Sequence, residues 1–139
     1  MRRALPPLLL ALLLLVACGG ADDAADGGAG ATALAIAVWP AGEGAGAAVT
    51  ATLTCDPAGG DLTDPAAACA ALEAEADALE PVPPDTACTL LYGGPEQARI
   101  TGTIDGEPVE AVLSRVDGCQ IDRWERLRPL LPAYEPVPL

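Results

Sequence analysis

The sequence contains no histidine, no lysine and no phenylalanine, and its seven basic residues are all arginines. Histidine is the commonest general base in enzymes, so Ser114 has no evident partner that could activate it as a nucleophile. The 20 acidic residues bring the net charge to −13. Phosphate binding requires clustered Lys and Arg, and this charge therefore excludes nucleic acid as an expected partner. We expect neither an enzyme nor a cofactor-binding protein.

Aromatic residues are scarce as well, with two tryptophans and two tyrosines. Once a targeting segment is removed, the chain has room for one domain of roughly a hundred residues, and a core with so few aromatics needs additional stabilisation. Small secreted domains commonly obtain it from disulfides. The chain has five cysteines but no C-x-x-C motif. A zinc site would need four widely spread cysteine ligands, and we predict no metal.

The N-terminus has the pattern of a secretory signal peptide, residues 1–17. A basic start is followed by the apolar run Ala4–Ala17, which is too short to cross a bilayer comfortably. The run ends in Leu15-Val16-Ala17-Cys18, which resembles the lipobox of bacterial lipoproteins. Cys18 would then become the lipidated N-terminal residue, and an even number of cysteines would be left for pairing. The alternative is an ordinary signal peptide with a cysteine near its cleavage site.

Residues 18–31 comprise the lipidated cysteine and a small, acidic, low-complexity segment that we interpret as a flexible spacer. As a random coil it would span about 20 Å on average. These two segments predict a secreted, extracytoplasmic protein that is anchored to the outer face of the cell membrane through Cys18.

Residues 32–139 are expected to form the folded domain. Thr32–Trp39 alternates between apolar and small residues and Val49–Cys55 is rich in β-branched residues, so both predict strands that pair antiparallel across a glycine-rich loop. Asp64-Pro65 then predicts a helix start, and this helix is expected to reach about Leu79.

Two stripes run along this predicted helix. Cys69, Leu72, Ala76 and Leu79 share one face and are expected to pack on the sheet. The acidic stripe consists of Glu73, Asp77 and Glu80. These carboxylates can be interpreted as acid–base groups or cation ligands, or as a solvated helix face. We favour the solvated face, because no partner base or apolar pocket is evident.

The second half of the domain is predicted to contain a hairpin and a helix. Ala98–Ile104 and Glu107–Ser114 flank an Asp-Gly pair, which is a strong hairpin signal. Ile121–Leu131 is an amphipathic helix candidate that Pro129 should end early. Its expected anchors are Trp124, Leu127 and Leu131, and the tail Pro132–Leu139 is expected on the surface. The predicted fold is α+β, a two-layer sandwich with one antiparallel sheet of about five strands covered by two helices and two disulfides.

The segment Cys88–Tyr92 places two adjacent leucines, Leu90 and Leu91, between a proline-rich lead-in and Gly93-Gly94-Pro95. The flanking prolines and glycines predict an exposed segment, although the apolar pair alone is equally consistent with a buried strand. An exposed apolar pair beside a cysteine is typical of a segment that is presented to a partner. Cys55, Cys69, Cys88 and Cys119 permit three disulfide pairings.

Between about Leu34 and Trp124, the sequence resembles the Streptomyces subtilisin inhibitor family. The marks of the resemblance are Thr52-Leu53-Thr54-Cys55, the Asp64-Pro65 start followed by Ala68-Cys69-Ala70-Ala71-Leu72, the segment Cys88…Tyr92…Pro95, the glycines Gly102 and Gly106, and Cys119. The resemblance implies serine-protease inhibition and the pairings Cys55–Cys69 and Cys88–Cys119, which we favour. It also implies an α+β sandwich that often dimerises through its sheet.

The resemblance further implies a reactive bond two residues after the third cysteine, between Leu90 and Leu91. Cys88 and Thr89 would then lie on the acyl side of this bond and Tyr92 on the leaving side. A leucine at this position predicts a protease with an apolar primary pocket, such as a subtilisin- or chymotrypsin-like enzyme.

Three features depart from the family pattern. Thr89 stands where the family usually has proline, one extra glycine (Gly93 or Gly94) precedes Pro95, and the family's C-terminal strand is not recognisable after residue 129. The first two favour a second hypothesis, a non-inhibitory cell-envelope lipoprotein that acts as an adaptor or scaffold and keeps the inhibitor fold with a relaxed loop.

Overall fold

The computed structural model describes residues 30–138. The predicted signal peptide, Cys18 and the spacer as far as residue 29 lie outside this range, as does Leu139. The carbonyl of Ala31 accepts hydrogen bonds from the amide of Gly106 (3.1 Å) and the hydroxyl of Thr103 (3.2 Å). The domain therefore begins beside the turn between its last two strands.

One antiparallel sheet of five strands carries the fold, as predicted, with the spatial order β3-β2-β1-β4-β5. The strands are β1 (Thr32–Trp39), β2 (Val49–Cys55), β3 (Gly59–Gly60), β4 (Gln97–Ile104) and β5 (Glu107–Ser114). The predicted pairing of β1 with β2 is confirmed, with Leu34 opposite Leu53. The short β3 was not predicted, because two glycines have almost no strand propensity and form a strand here only by pairing with the end of β2.

The period-2 alternation of the strands is also confirmed. Leu34, Ile36 and Val38 face the core and are almost fully buried, whereas the alanines between them lie on the outer face. In the β4–β5 hairpin, Asp105 and Gly106 have φ of 50° and 82°. Both therefore adopt the left-handed backbone that a two-residue hairpin turn requires, which explains the Asp-Gly pair.

The first helix, α1, is shorter than predicted. It spans Pro65–Ala74 and ends at Glu75, and a separate 3₁₀ turn follows at Ala76–Leu79. Ala76 is therefore exposed, and the prediction that it packs on the sheet was wrong. Leu72 and Leu79 are buried as predicted, and Cys69 packs partly buried against the core. Because the helical spacing breaks at residue 75, Ala78 is buried in place of Ala76.

The second helix, α2, spans Gly118–Arg126 and therefore begins three residues earlier than predicted, capped by Asp117. Pro129 ends it as expected and lies in a 3₁₀ turn, Arg128–Leu130. Trp124 and Leu127 are buried as predicted, and Leu131 packs against the core while it remains partly exposed. Leu130, which was not predicted, is fully buried in the 3₁₀ turn. The C-terminal tail follows the surface. The ring of Tyr134 packs edge-on against that of Trp124, with the ring centroids 6.3 Å apart.

Both implied disulfides are present. Cys55–Cys69 joins the end of β2 to α1, and Cys88–Cys119 joins the segment before β4 to the first turn of α2. The two helices and the 3₁₀ turns cover one face of the sheet, and the core lies between the two layers. The predicted α+β sandwich is confirmed. None of the helices between residues 30 and 138 has the length and apolar character of a membrane span.

Candidate functional site

The segment Cys88–Tyr92 lies on the surface, within a stretch between residues 80 and 96 that contains no helix or strand. Leu90 is 102% exposed, Leu91 62% and Tyr92 58%, so the three largest side chains of the segment point away from the domain. The prediction of exposure is confirmed, and a buried strand pair is excluded. Single exposed leucines are common on protein surfaces, but three consecutive large apolar residues form a patch that is typical of an interaction site.

The N-terminal end of this segment is attached to α2 by a covalent bond and a hydrogen bond. Cys88 forms a disulfide with Cys119, with their Cα atoms 5.4 Å apart. The carbonyl of Thr89 accepts a hydrogen bond from the amide of Gly118 at 3.0 Å. A Cβ at residue 118 would lie 2.0 Å from the hydroxyl of Thr89, so a larger residue here would force Thr89 to move.

The other end is attached to the chain that leaves β5. The amide of Gly93 donates a hydrogen bond of 2.7 Å to the carbonyl of Arg115. The side chain of Ile121 on α2 packs against Gly93, where a Cβ would lie 2.9 Å from it. The two backbone hydrogen bonds therefore bracket Leu90, Leu91 and Tyr92 from either side.

The double glycine is packed rather than loose. Gly94 is buried with φ of 138°, and a Cβ there would lie 2.0 Å from a carboxylate oxygen of Glu96. Gly93 and Gly94 thus permit close contacts with Ile121 and Glu96 that larger residues could not make. The sequence suggested that the extra glycine relaxes the segment, whereas in the structure both glycines pack closely against neighbouring side chains.

Arg123 fixes α2 to the rest of the domain. Its guanidinium group donates hydrogen bonds to the carbonyls of Ala78 (2.9 Å) and Leu79 (3.2 Å) and to the side chain of Gln120 (2.8 Å). Burial lowers the pKa of Arg123, although the side chain remains a cation at any physiological pH. Sequence reasoning missed this residue, because an arginine beside the apolar stripe of a helix gives no pattern of its own.

The acidic stripe does not form a catalytic cluster. Glu73, Asp77 and Glu80 are all exposed, and only Glu73 belongs to α1. Asp77 accepts a hydrogen bond from Arg126 at 2.6 Å, and this bond lowers the pKa of its carboxyl. Asp77 and Glu80 line a groove of about 460 Å³ beside the Cys88–Cys119 bridge. The prediction that these carboxylates are solvated is confirmed.

The described residues offer one candidate group of metal-ligating side chains, Cys88, Asp117 and Cys119. The two sulfur atoms form a disulfide and are not available as thiolate ligands. The carboxylate of Asp117 accepts a hydrogen bond from the amide of Gln120 as the cap of α2. The group is therefore structural.

A family model described as subtilisin inhibitor-like matches residues 30–114, which is more than half of the chain. The match includes the whole segment Cys88–Tyr92 and ends before α2. The chain belongs to the subtilisin inhibitor-like family.

A comparison with curated proteins finds no match. Membership of the subtilisin inhibitor-like family supports a role as an inhibitor of subtilisin-type proteases in general, with a serine protease as the partner. Members of the family are inhibitors rather than enzymes, and they are typically extracellular. The exposed segment, with its attachment to α2 and to the chain after β5, is the candidate surface for this role.

Proposed function

We propose that the protein inhibits serine endopeptidases that have an apolar primary pocket, such as subtilisin- or chymotrypsin-like enzymes. In this proposal the bond between Leu90 and Leu91 is presented to the protease as a substrate. The observation that carries the proposal is the full exposure of Leu90 between two attached ends.

The attachment of both ends favours tight binding. A serine protease attacks a carbonyl that is held in extended geometry against its oxyanion hole. A segment that is already restrained loses little conformational entropy on binding, so most of its contact energy contributes to affinity. The disulfide of Cys88 and the hydrogen bond of Gly93 supply this restraint on either side of the Leu90–Leu91 bond.

The same attachments favour religation after cleavage. Cleavage would free the amine of Leu91 while Leu90 remains attached to the enzyme as an acyl group. The Gly93 amide, two residues further on, remains bonded to Arg115, so the amine stays close to the acyl-enzyme. At a high effective molarity the amine competes with water for the acyl group, and the intact inhibitor is reformed.

The side chain of Leu90 determines the expected target. An apolar pocket accepts it, whereas the buried aspartate of a trypsin-like pocket disfavours it. Leu91 and Tyr92 are also exposed, and they would contact the protease on the leaving side.

The hypothesis of a non-inhibitory adaptor depended on a relaxed loop. Thr89 forms a backbone hydrogen bond with Gly118, and Gly94 is buried against Glu96. These contacts do not favour the adaptor hypothesis.

The proposal includes a membrane anchor through lipidated Cys18. The sequence pattern of residues 15–18 supports it. The two disulfides use four of the five cysteines, and the fifth is Cys18. Metabolic labelling with a fatty acid would test this part, and a Cys18→Ser chain that is labelled equally well would contradict it.

A homodimer through the sheet also stays a prediction, which sedimentation velocity would test.

Titration of subtilisin with the chain from Gly19 onward tests the inhibitor proposal. We expect stoichiometric inhibition, and an inhibition constant weaker than about 1 μM, or −8 kcal/mol of binding free energy, would contradict it.

The variant Leu90→Lys tests the role of the leucine. We expect a loss of roughly 30-fold against subtilisin, which corresponds to a hot-spot contribution of about 2 kcal/mol, and a gain against trypsin. Val112→Lys is a matched control, because Val112 is also an exposed apolar residue but lies on β5. Equal inhibition by both variants would show that Leu90 is not the anchor.

A further inference from the structure

A partly buried ion pair lies directly behind the segment. The guanidinium of Arg115 contacts the carboxylate of Glu96 at 3.0 Å, and the side chains are 22% and 4% exposed. Glu96 directly precedes β4 and Arg115 directly follows β5. Because Gln97 pairs with Ser114 at the end of the β4–β5 ladder, the ion pair occupies the next position outward.

Both side chains continue the core-facing pattern of their strands. Ala98 and Ile100 on β4 and Ala111 and Leu113 on β5 point into the core, and the residues two positions further along are Glu96 and Arg115. Two apolar residues at this place would extend the core without the cost of desolvating charges. An ion pair at a core position is therefore not explained by packing alone.

The two residues of the ion pair contact the leaving side of the segment at two points, Glu96 through its side chain and Arg115 through its backbone carbonyl. The backbone of Gly94 lies on the carboxylate of Glu96, and the amide of Gly93 is hydrogen-bonded to the carbonyl of Arg115. One carboxylate oxygen of Glu96 and the Nε atom of Arg115 are buried and have no hydrogen-bond partner between residues 30 and 138. Each charge is therefore compensated mainly by the other, and the loss of one partner would shift both contacts.

We propose that Glu96 and Arg115 are positioning residues that hold the leaving side of the Leu90–Leu91 bond in place for religation. This inference rests on the proposed function. Neither side chain contacts the protease in this proposal. The pair keeps the amide of Gly93 fixed, so that the amine of Leu91 stays beside the acyl-enzyme after cleavage. Water then attacks the acyl group only in the fraction of events in which the amine has moved away.

Glu96→Gln is the test, because the amide keeps the shape of the side chain and removes its charge. The matched control is Glu110→Gln, which removes an exposed ion pair with Arg99 on the same two strands. Both variants would be made in the full secreted chain and purified in detergent.

The first readout is hydrogen exchange of the Gly93 amide, which does not depend on any protease. We expect about tenfold faster exchange at Gly93 in Glu96→Gln, with the amide of Ile100 in β4 unchanged, and no change at either place in Glu110→Gln. Equal acceleration at Gly93 and Ile100 would overturn the proposal, because the pair would then only stabilise the whole domain.

The second readout is the rate at which excess inhibitor is cleaved at Leu90–Leu91 during long incubation with subtilisin. We expect cleavage of Glu96→Gln to be about tenfold faster than that of the control, since the amine is held less well. An unchanged rate would overturn the proposal. If the parent chain itself did not inhibit, the proposed function would fail, and the exchange of Gly93 would still decide whether the pair holds this end of the segment.

Arg115→Lys serves as a second variant if Glu96→Gln does not fold. It keeps the positive charge but cannot reproduce the fork of the guanidinium group, so we expect a smaller acceleration at Gly93 in the same direction. Exchange identical to that of the parent chain would count against the positioning role.

Discussion

The two disulfides have similar local geometry and different surroundings. Cys55–Cys69 joins β2 to α1, two elements that already pack together through buried residues such as Leu53 and Leu72. Cys88–Cys119 joins α2 to a segment without helix or strand, whose side chains are largely exposed. The first bridge reinforces contacts that exist without it. The second replaces contacts that the segment cannot make, because its apolar residues face solvent.

Because of this difference, we expect one bridge to affect only the stability of the fold and the other to affect also the presentation of the Leu90–Leu91 bond. In the loop-entropy description, closing the two loops, with sequence separations of 14 and 31, contributes about 3 to 4 kcal/mol in each case. The bridges are therefore comparable as restraints on the unfolded chain. In the folded state only Cys88–Cys119 lies next to the proposed reactive bond, so only its removal should change how that bond is presented.

The largest expected effect comes from removing each bridge in turn. The double variant Cys88→Ser with Cys119→Ser should lose at least about 100-fold in inhibition of subtilisin and should be cleaved as a substrate, since misplaced reacting groups cost factors of this size. Cys55→Ser with Cys69→Ser should lower the free energy of unfolding by about 3 kcal/mol and should inhibit normally at temperatures where it remains folded. Inhibition assays and urea unfolding check both results. Similar inhibition by the two variants would show that Cys88–Cys119 is no more important for inhibition than Cys55–Cys69.

A smaller effect is expected at the helix caps. Asp64 accepts a hydrogen bond from the amide of Ala67 at the start of α1, and Asp117 accepts one from Gln120 at the start of α2, each at 2.9 Å. Replacing either by alanine should cost about 1 kcal/mol of stability. Only Asp117→Ala should also weaken inhibition, several-fold, because the first turn of α2 provides the hydrogen bond to Thr89. Thermal unfolding compares the stability of the two variants, and titration of subtilisin compares their inhibition. Equal inhibition would show that α2 tolerates fraying without disturbing the segment.

The smallest effect concerns pH. The hydrogen bond from Arg126 lowers the pKa of Asp77, so Asp77 stabilises the fold above the pKa of an unfolded aspartate, about 3.9, and this contribution is lost as the pH falls through the lower folded value. Asp77→Asn should therefore show a slightly lower unfolding temperature than the parent at pH 6, and this difference should vanish near pH 2. Asp85→Asn is the control, because Asp85 forms no ion pair within residues 30–138. A difference that persists at pH 2 would assign the effect to packing.

The sequence predicted the regular part of the fold well. The alternation in Thr32–Trp39 and the Asp-Gly turn each depend on residues close together in the chain, and local patterns suffice for them. The break of α1 at Glu75 could not be predicted, because Glu75 is paired with Arg126, 51 residues away, through a contact that only the tertiary structure creates. The missed strand β3 has the same cause, since its two glycines become a strand only beside β2.

For the candidate site, the sequence predicted where the exposed segment lies but not how it is held. The prolines and glycines around Cys88–Tyr92 indicated exposure, which the structure confirms. The ion pair of Glu96 with Arg115 joins residues 19 positions apart at the end of two strands. An alternating pattern that ends in a charge normally indicates the end of a buried strand, so nothing in the sequence showed that these two charges form a partly buried pair.

The N-terminal end of the domain and the exposed segment lie at opposite ends of β4 and β5. Ala31 is bonded to the β4–β5 turn, whereas the exposed segment is attached at the opposite end of these strands, and β4 has eight residues, a rise of about 26 Å. With the anchor proposed at Cys18 and an expected spacer reach of about 20 Å, the proposed reactive bond would lie some 45 Å from the lipid surface when the domain points away from it. Such a reach would let the segment meet an enzyme that arrives from the surrounding medium.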